Sequence, residues 1–215
     1  MKSKLKLKLK VANLSTAKLM KFYLLGYFLV YFGLVFFLPS YRVWKQTGIN
    51  PFVFSNKETA HDYSGKTMKF LIGLIVFTVF TNAFFTDFII YLVPISYLEH
   101  SYLKIIGLVL LHFSVFWTII AQYQMKQSWR IGIDEVNKTE LIEIGIFKFS
   151  RNPIFFGILV SILGLFLILP NTLLFGVLLV SFVVLQIQVR LEEEFLFRQH
   201  GTQYLDFCKK AKRWI

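Results

Sequence analysis

The chain has 215 residues, of which 56% are hydrophobic, 18% aromatic and only 17% charged, and its mean hydropathy is +0.59. Soluble domains average about 45–50% apolar and about 25% charged residues, so composition excludes an ordinary water-soluble globule. The formal charge of +12 does not read as a nucleic-acid footprint, because Lys and Arg flank apolar segments, where anionic lipid headgroups are the expected counter-charge.

Residues 1–21 form a basic N-terminal tail that opens with alternating Lys and Leu and carries Lys18 and Lys21. It resembles the charged region of a signal peptide, but the apolar run that follows is long and lacks a small-residue cleavage site. An uncleaved first helix is expected, preceded by a lipid-surface or disordered tail.

Five apolar segments follow, at 22–39, 69–93, 103–122, 153–169 and 172–189. A spanning helix needs about 20 apolar residues, with about 17 the practical minimum. The first three reach this length with ease, and 22–122 is read as three transmembrane helices. The last two are short and form a hairpin (153–189) whose tight turn is Pro170-Asn171. In the fourth, Gly157, Ser161 and Gly164 place small residues on nearly one face, which permits close helix packing. Asp87 and Asn82 fall in the second segment. They make an intramembrane polar site if that helix is straight, and an interfacial one if it ends near Asp87. The expected fold is all-α: an integral membrane helical bundle of about five transmembrane helices with an amphipathic tail helix. The lone Cys208 precludes an intrachain disulfide, and His61, His100, His112 and His200 are scattered without metal-ligand spacing.

With five spans, loop 40–68, loop 123–152 and the C-terminal tail share one side and carry sixteen Lys and Arg, against eight on the other. The positive-inside rule then puts the C-terminal side in the cytosol, although the basic N-terminal tail pulls the other way.

Two polar signatures bracket the hairpin. Gly145–Gly157 reads GIFKFSRNPIFFG, and Arg190–Tyr204 reads RLEEEFLFRQHGTQY. Pro153 suits the first position of a helix, where its missing N–H costs nothing. Arg151 and Asn152 therefore sit beside unpaired helix N–H groups that favour an anion. Taken alone, Arg151 is also a snorkelling anchor. In the second signature, Arg190 with Glu194 and Glu194 with Arg198 are i,i+4 pairs. Glu192 and Glu193 have no basic residue three or four positions on, so they are free to face a cationic or hydroxyl-rich ligand.

Together these segments resemble the isoprenylcysteine carboxyl methyltransferase and phospholipid methyltransferase group of integral membrane enzymes. That family carries G-x-[YF]-x-x-x-R-H-P-x-Y-x-G, a short hairpin, then R-x-E-E-x-x-L, then a Gly and a Tyr three residues later. Gly145, Phe147, Arg151, Pro153 and Gly157 match the first part; Arg190, Glu192, Glu193, Leu196, Gly201 and Tyr204 match the second. The Trp129-Arg130…Gly132 patch also looks familial. The resemblance covers about 125–215 and departs at Asn152, where the family has His, and at Phe155, where it has Tyr. Asn donates and accepts hydrogen bonds but does not titrate near neutral pH.

The resemblance implies a methyltransferase core at 123–215 with a C-terminal cofactor-binding helix. It implies S-adenosylmethionine held by Asn152, Phe155, Gly157, Glu192, Glu193 and Leu196, with Arg151 and Arg190 as the catalytic cations. Arg190 would hold the cofactor carboxylate or an anionic substrate. The implied acceptor is a lipophilic molecule arriving from the bilayer: a prenylated cysteine, a phospholipid or another apolar small molecule. The implied reaction is most like protein-S-isoprenylcysteine O-methylation. Two other readings stand beside it: an NADPH-dependent reductase of the sterol type, and a non-enzymatic membrane protein. No nucleic-acid partner and no metal are expected.

Overall fold

The computed structural model describes residues 18–51, 59–132 and 140–215. The tail before Lys18 therefore lies outside the described residues, as does 133–139 within the loop that leads to the first signature.

Helix α1, Lys18–Thr47, is 30 residues long and includes a π-helical stretch at Gly33–Phe37. It stops at Gly48, whose φ of 70° is left-handed and open only to a residue without Cβ strain. Helix α2, Ala60–Phe84, starts with a capping box in which Thr59 and Asp62 satisfy each other's backbone N–H. It begins before the apolar run and ends before that run does, because residues Thr86–Leu92 wind into a 3-10 turn. Asp87 lies on that exposed turn while Asn82 is buried inside α2. The helix thus ends close to Asp87, the case in which an interfacial position is expected. Helix α3 spans Ser101–Met125.

Helix α4, Pro153–Ile168, begins at the proline as its geometry dictates. At 16 residues it is about 24 Å long, shorter than the roughly 30 Å hydrocarbon core. Asn171 then caps α5, accepting the Leu174 N–H at 2.9 Å. Helix α5, Thr172–His200, does not stop with its apolar run. It carries straight on through Arg190–His200 of the second signature, so its 29 residues reach about 43 Å. The hairpin is thus lopsided. Counting back from the turn, Pro153 at the start of α4 comes level with about Gln188 on α5, and α5 continues beyond it. Gly201, with φ of 56°, breaks the chain into the amphipathic tail helix α6, Thr202–Lys210.

The 170–171 turn is tied to the α2–α3 connection, with Ile95 N–H on Pro170 O and Thr172 N–H on Val93 O. That end of the bundle is therefore opposite the two signatures, as expected for five crossings.

Four of the helices are long and apolar enough to cross a membrane, with α4 the short fifth. The central core joins all five, for example Phe28, Leu71, Leu111, Leu165 and Val177. Large apolar side chains such as Phe70, Phe80, Ile105 and Phe116 cover the outer faces; in lipid these are solvated by acyl chains.

The tightest seam is α3 against α4. A Cβ placed on Gly107 would stand 2.5 Å from Gly164 O, and one on Gly164 would stand 2.8 Å from Gly107 O. A Cβ on Gly157 would collide with Thr118 Oγ1. The expected small-residue packing is real, and its partner is α3.

Candidate active site

The start of α4 is fastened to α5 and to the segment after α6 by one carboxylate. Glu193 Oε1 takes the Arg151 guanidinium at 2.9 Å, and its Oε2 takes Arg213 at 2.7 Å. The side chains of Arg151 and Glu193 are only 11% and 12% exposed. Arg151 also donates to the carbonyls of Cys208 and Ala211, and its own N–H bonds Lys212 O. Asn152 donates to Arg213 O at 3.1 Å and more weakly to Glu193 at 3.4 Å. The hydrogen bond to Glu193 raises the Arg213 pKa, keeping this clamp charged. Beneath it, Phe147, Tyr204, Phe207 and Ala211 form a small apolar cluster, where burial pushes the Tyr204 hydroxyl pKa up. Gln124 supports the first signature from α3 by accepting the Ile146 N–H at 3.0 Å. It also packs over Gly145, where a Cβ would collide with it.

Beside the clamp lies a cavity of about 340 Å³. This falls in the range of about 300–1,000 Å³ typical of small-molecule sites. Its walls come from both signatures: Arg151, Asn152 and Phe155 from α4 and its lead-in, and Glu192 and Leu196 from α5. They also come from α1 and α2, through Val35, His61, Ser64, Met68 and Ile72. A polar track crosses this mainly apolar wall. Gln188 donates to Glu192 at 2.8 Å and hydrogen-bonds His61 Nδ1 at 2.9 Å.

Of the residues expected at the cofactor, the structure gathers Asn152, Phe155, Glu192, Leu196 and Arg151 around this one space. It separates three others. Glu193 does not line the cavity, because both its oxygens are held by Arg151 and Arg213. Gly157 faces away onto α3. Arg190 is exposed on another face of α5, bonded to Gln186 O and Oε1 and not paired with Glu194. Consecutive helix residues are about 100° apart, so Arg190 and Glu192 cannot share a wall. The Glu194–Arg198 surface pair does form, at 2.9 Å.

The sequence reading missed His61, Ser64 and Gln188. Gln188 had a signal, standing one helical turn before Glu192; His61 and Ser64 had none, since α2 meets α5 only in the folded bundle.

With this geometry in hand, the comparison with known proteins adds one match at the family level. Residues 102–203 match the phospholipid methyltransferase family. No curated protein matches the chain. The matched stretch runs from α3 through α5, so it includes the tight α3–α4 seam, both signatures up to Gln203 and most of the cavity wall. The resemblance seen in the motifs therefore holds, and it supports a methyltransferase acting in a membrane. The clamp residue Arg213 and the α2 residues of the cavity lie outside the family match.

Proposed function

We propose that the chain is an S-adenosylmethionine-dependent methyltransferase that modifies a lipophilic acceptor reaching the cavity from the bilayer, most like the isoprenylcysteine carboxyl methyltransferases. The observation that carries this reading is the meeting of the two signatures, some 40 residues apart in sequence, around one cavity at the level of the short helix α4.

The donor set suits this cofactor. Glu192, steadied by Gln188, offers a carboxylate for ribose hydroxyls or an ammonium group. Asn152 offers an amide, and Phe147, Phe155 and Leu196 offer apolar contact for an adenine ring. When bound, S-adenosylmethionine supplies a sulfonium methyl already activated for transfer. The protein's task is then to position and to exclude water. Arg151, Glu193 and Arg213 hold the start of α4 against α5, and so fix Asn152 and Phe155 relative to Glu192. Val35, Met68, Ile72, Ile158 and Leu185 keep the cavity dry. Asn152 supplies no titrating group, which suits a carboxylate acceptor, since a carboxylate is already ionised at pH 7. The site faces the cytosol in this proposal, as the sixteen-to-eight distribution of Lys and Arg favours.

The test is calorimetry on the purified protein with S-adenosylmethionine and NADPH, followed by incubation of membranes with methyl-labelled cofactor. Binding of the former and label in the lipid-extractable fraction are expected. Binding of NADPH alone would overturn the proposal in favour of a reductase.

A further inference from the structure

Most buried polar side chains in the bundle are satisfied locally. On α2, Thr67 donates to Tyr63 O at 2.9 Å and Thr78 to Leu74 O at 2.8 Å, the usual way for a helical hydroxyl to avoid burial unpaired. Ser64 on the same helix does not. Its residue is 3% exposed and its Oγ has no partner among the described residues. Tryptophan gives a parallel contrast. Trp117 Nε1 donates to Pro153 O at 2.9 Å, while Trp129, only 5% exposed, leaves its Nε1 without a partner among the described residues. Ser64 and Trp129 line the same cavity. The other buried hydroxyls without a partner, those of Ser40, Thr118, Ser181 and Tyr204, do not. Two buried donors without a partner among the described residues, both on residues that border one cavity, ask for a ligand atom there.

We propose that Ser64 and Trp129 form the head-group subsite for the methyl acceptor, and that the head they take carries an oxygen that accepts hydrogen bonds. This rests on the methyltransferase reading given above and adds to it the residues that select the acceptor. An indole N–H only donates, so its partner is a carboxylate, phosphate or carbonyl oxygen and not an ammonium group. The Ser64 hydroxyl donates beside it. The acyl or prenyl part of the ligand lies along Met68, Ile72 and Ile158. Ser64 lies in α2, outside the family match at 102–203 that includes Trp129, so a helix separate from the motif residues contributes to acceptor choice.

The experiment uses the full chain in nanodiscs with its tryptophan indoles labelled with nitrogen-15. Four indole resonances are expected, and Trp129→Phe identifies the one of interest. Decanoate, decyl phosphate and decylamine are titrated in turn. The Trp129 N–H resonance moves downfield with decanoate or decyl phosphate, whichever head belongs to the acceptor, and stays in place with decylamine. Ser64→Ala weakens the effective amphiphile by about tenfold, the size of one buried hydrogen bond, and leaves S-adenosylmethionine affinity unchanged. The proposal is overturned by an equal shift with decylamine, by no shift with any amphiphile, or by unchanged affinity in Ser64→Ala. A loss of cofactor affinity in Ser64→Ala also overturns it, since the donors then belong to the cofactor's own subsite. Failure of the methyltransferase reading is a separate outcome: no S-adenosylmethionine binding by the unaltered chain, with the amphiphile shifts intact.

Discussion

Glu192 and Glu193 are neighbours in sequence with opposite assignments in space. Glu193 is saturated by two guanidinium groups and knits three parts of the chain together; Glu192 turns into the cavity. Replacing each by Gln separates these roles. Glu193→Gln leaves Arg151 nearly buried without its counter-charge, and breaking a buried pair in this way costs about 3–5 kcal/mol. A clear drop in thermal unfolding temperature in detergent is expected, with cofactor binding lost as a consequence. Glu192→Gln is expected to unfold at nearly the native temperature while S-adenosylmethionine affinity falls at least tenfold by calorimetry. Arg190→Ala, on the exposed face with Gln186, changes neither. The motif marked all three residues without separating them, because the partners of Glu193 are 42 residues back and 20 residues ahead. No local rule couples such distances.

At the level of elements, the α3–α4 seam sets the position of everything at the start of α4. Gly107 and Gly164 let two backbones meet where a single methyl group would overlap a carbonyl. Gly164→Val is expected to cost several kcal/mol, because backbone on the far side cannot rotate away as a side chain could. A methyl group added at Gly176 on α5 would meet nothing within 4 Å, and Gly176→Ala is neutral or slightly stabilising by helix propensity. Thermal unfolding of the two variants side by side checks the contrast. The small-residue face was legible as a pattern on α4. Its partner was not, since Gly107, Ser114 and Thr118 on α3 look ordinary until the helices pack. The extent of α5 was also beyond reach of the apolar run alone: once nucleated, a helix continues through polar residues that carry good helix propensity, as Glu, Leu, Gln and Arg do.

For the whole molecule, five crossings place the 93–100 connection and the 170–171 turn on one side, and the clamp, cavity and α6 on the other. In a Cys208→Ser background, a cysteine at exposed Glu99 and one at exposed Lys210 are expected to react from opposite sides of the membrane. With the site in the cytosol, Glu99→Cys is labelled by an impermeant maleimide in intact cells, and Lys210→Cys only after lysis. The reverse pattern would invert the proposed orientation.

The sequence alone established that the chain is a bundle of apolar helices suited to a membrane and where α4 and α5 begin, and its motifs carried the resemblance to the methyltransferase family that residues 102–203 match. Those properties follow from apolar run length, caps, prolines and short-range motifs, all of which act within a few residues of themselves. Only the tertiary structure decided which of the signature residues share a cavity, that Glu193 is committed to a clamp, that Arg190 faces away, and that α2 supplies part of the wall. These are outcomes of helix rotation and depth, fixed by packing between residues far apart in the chain. A one-residue step along a helix turns a side chain by about 100°, and that is the whole difference between lining a site and leaving it.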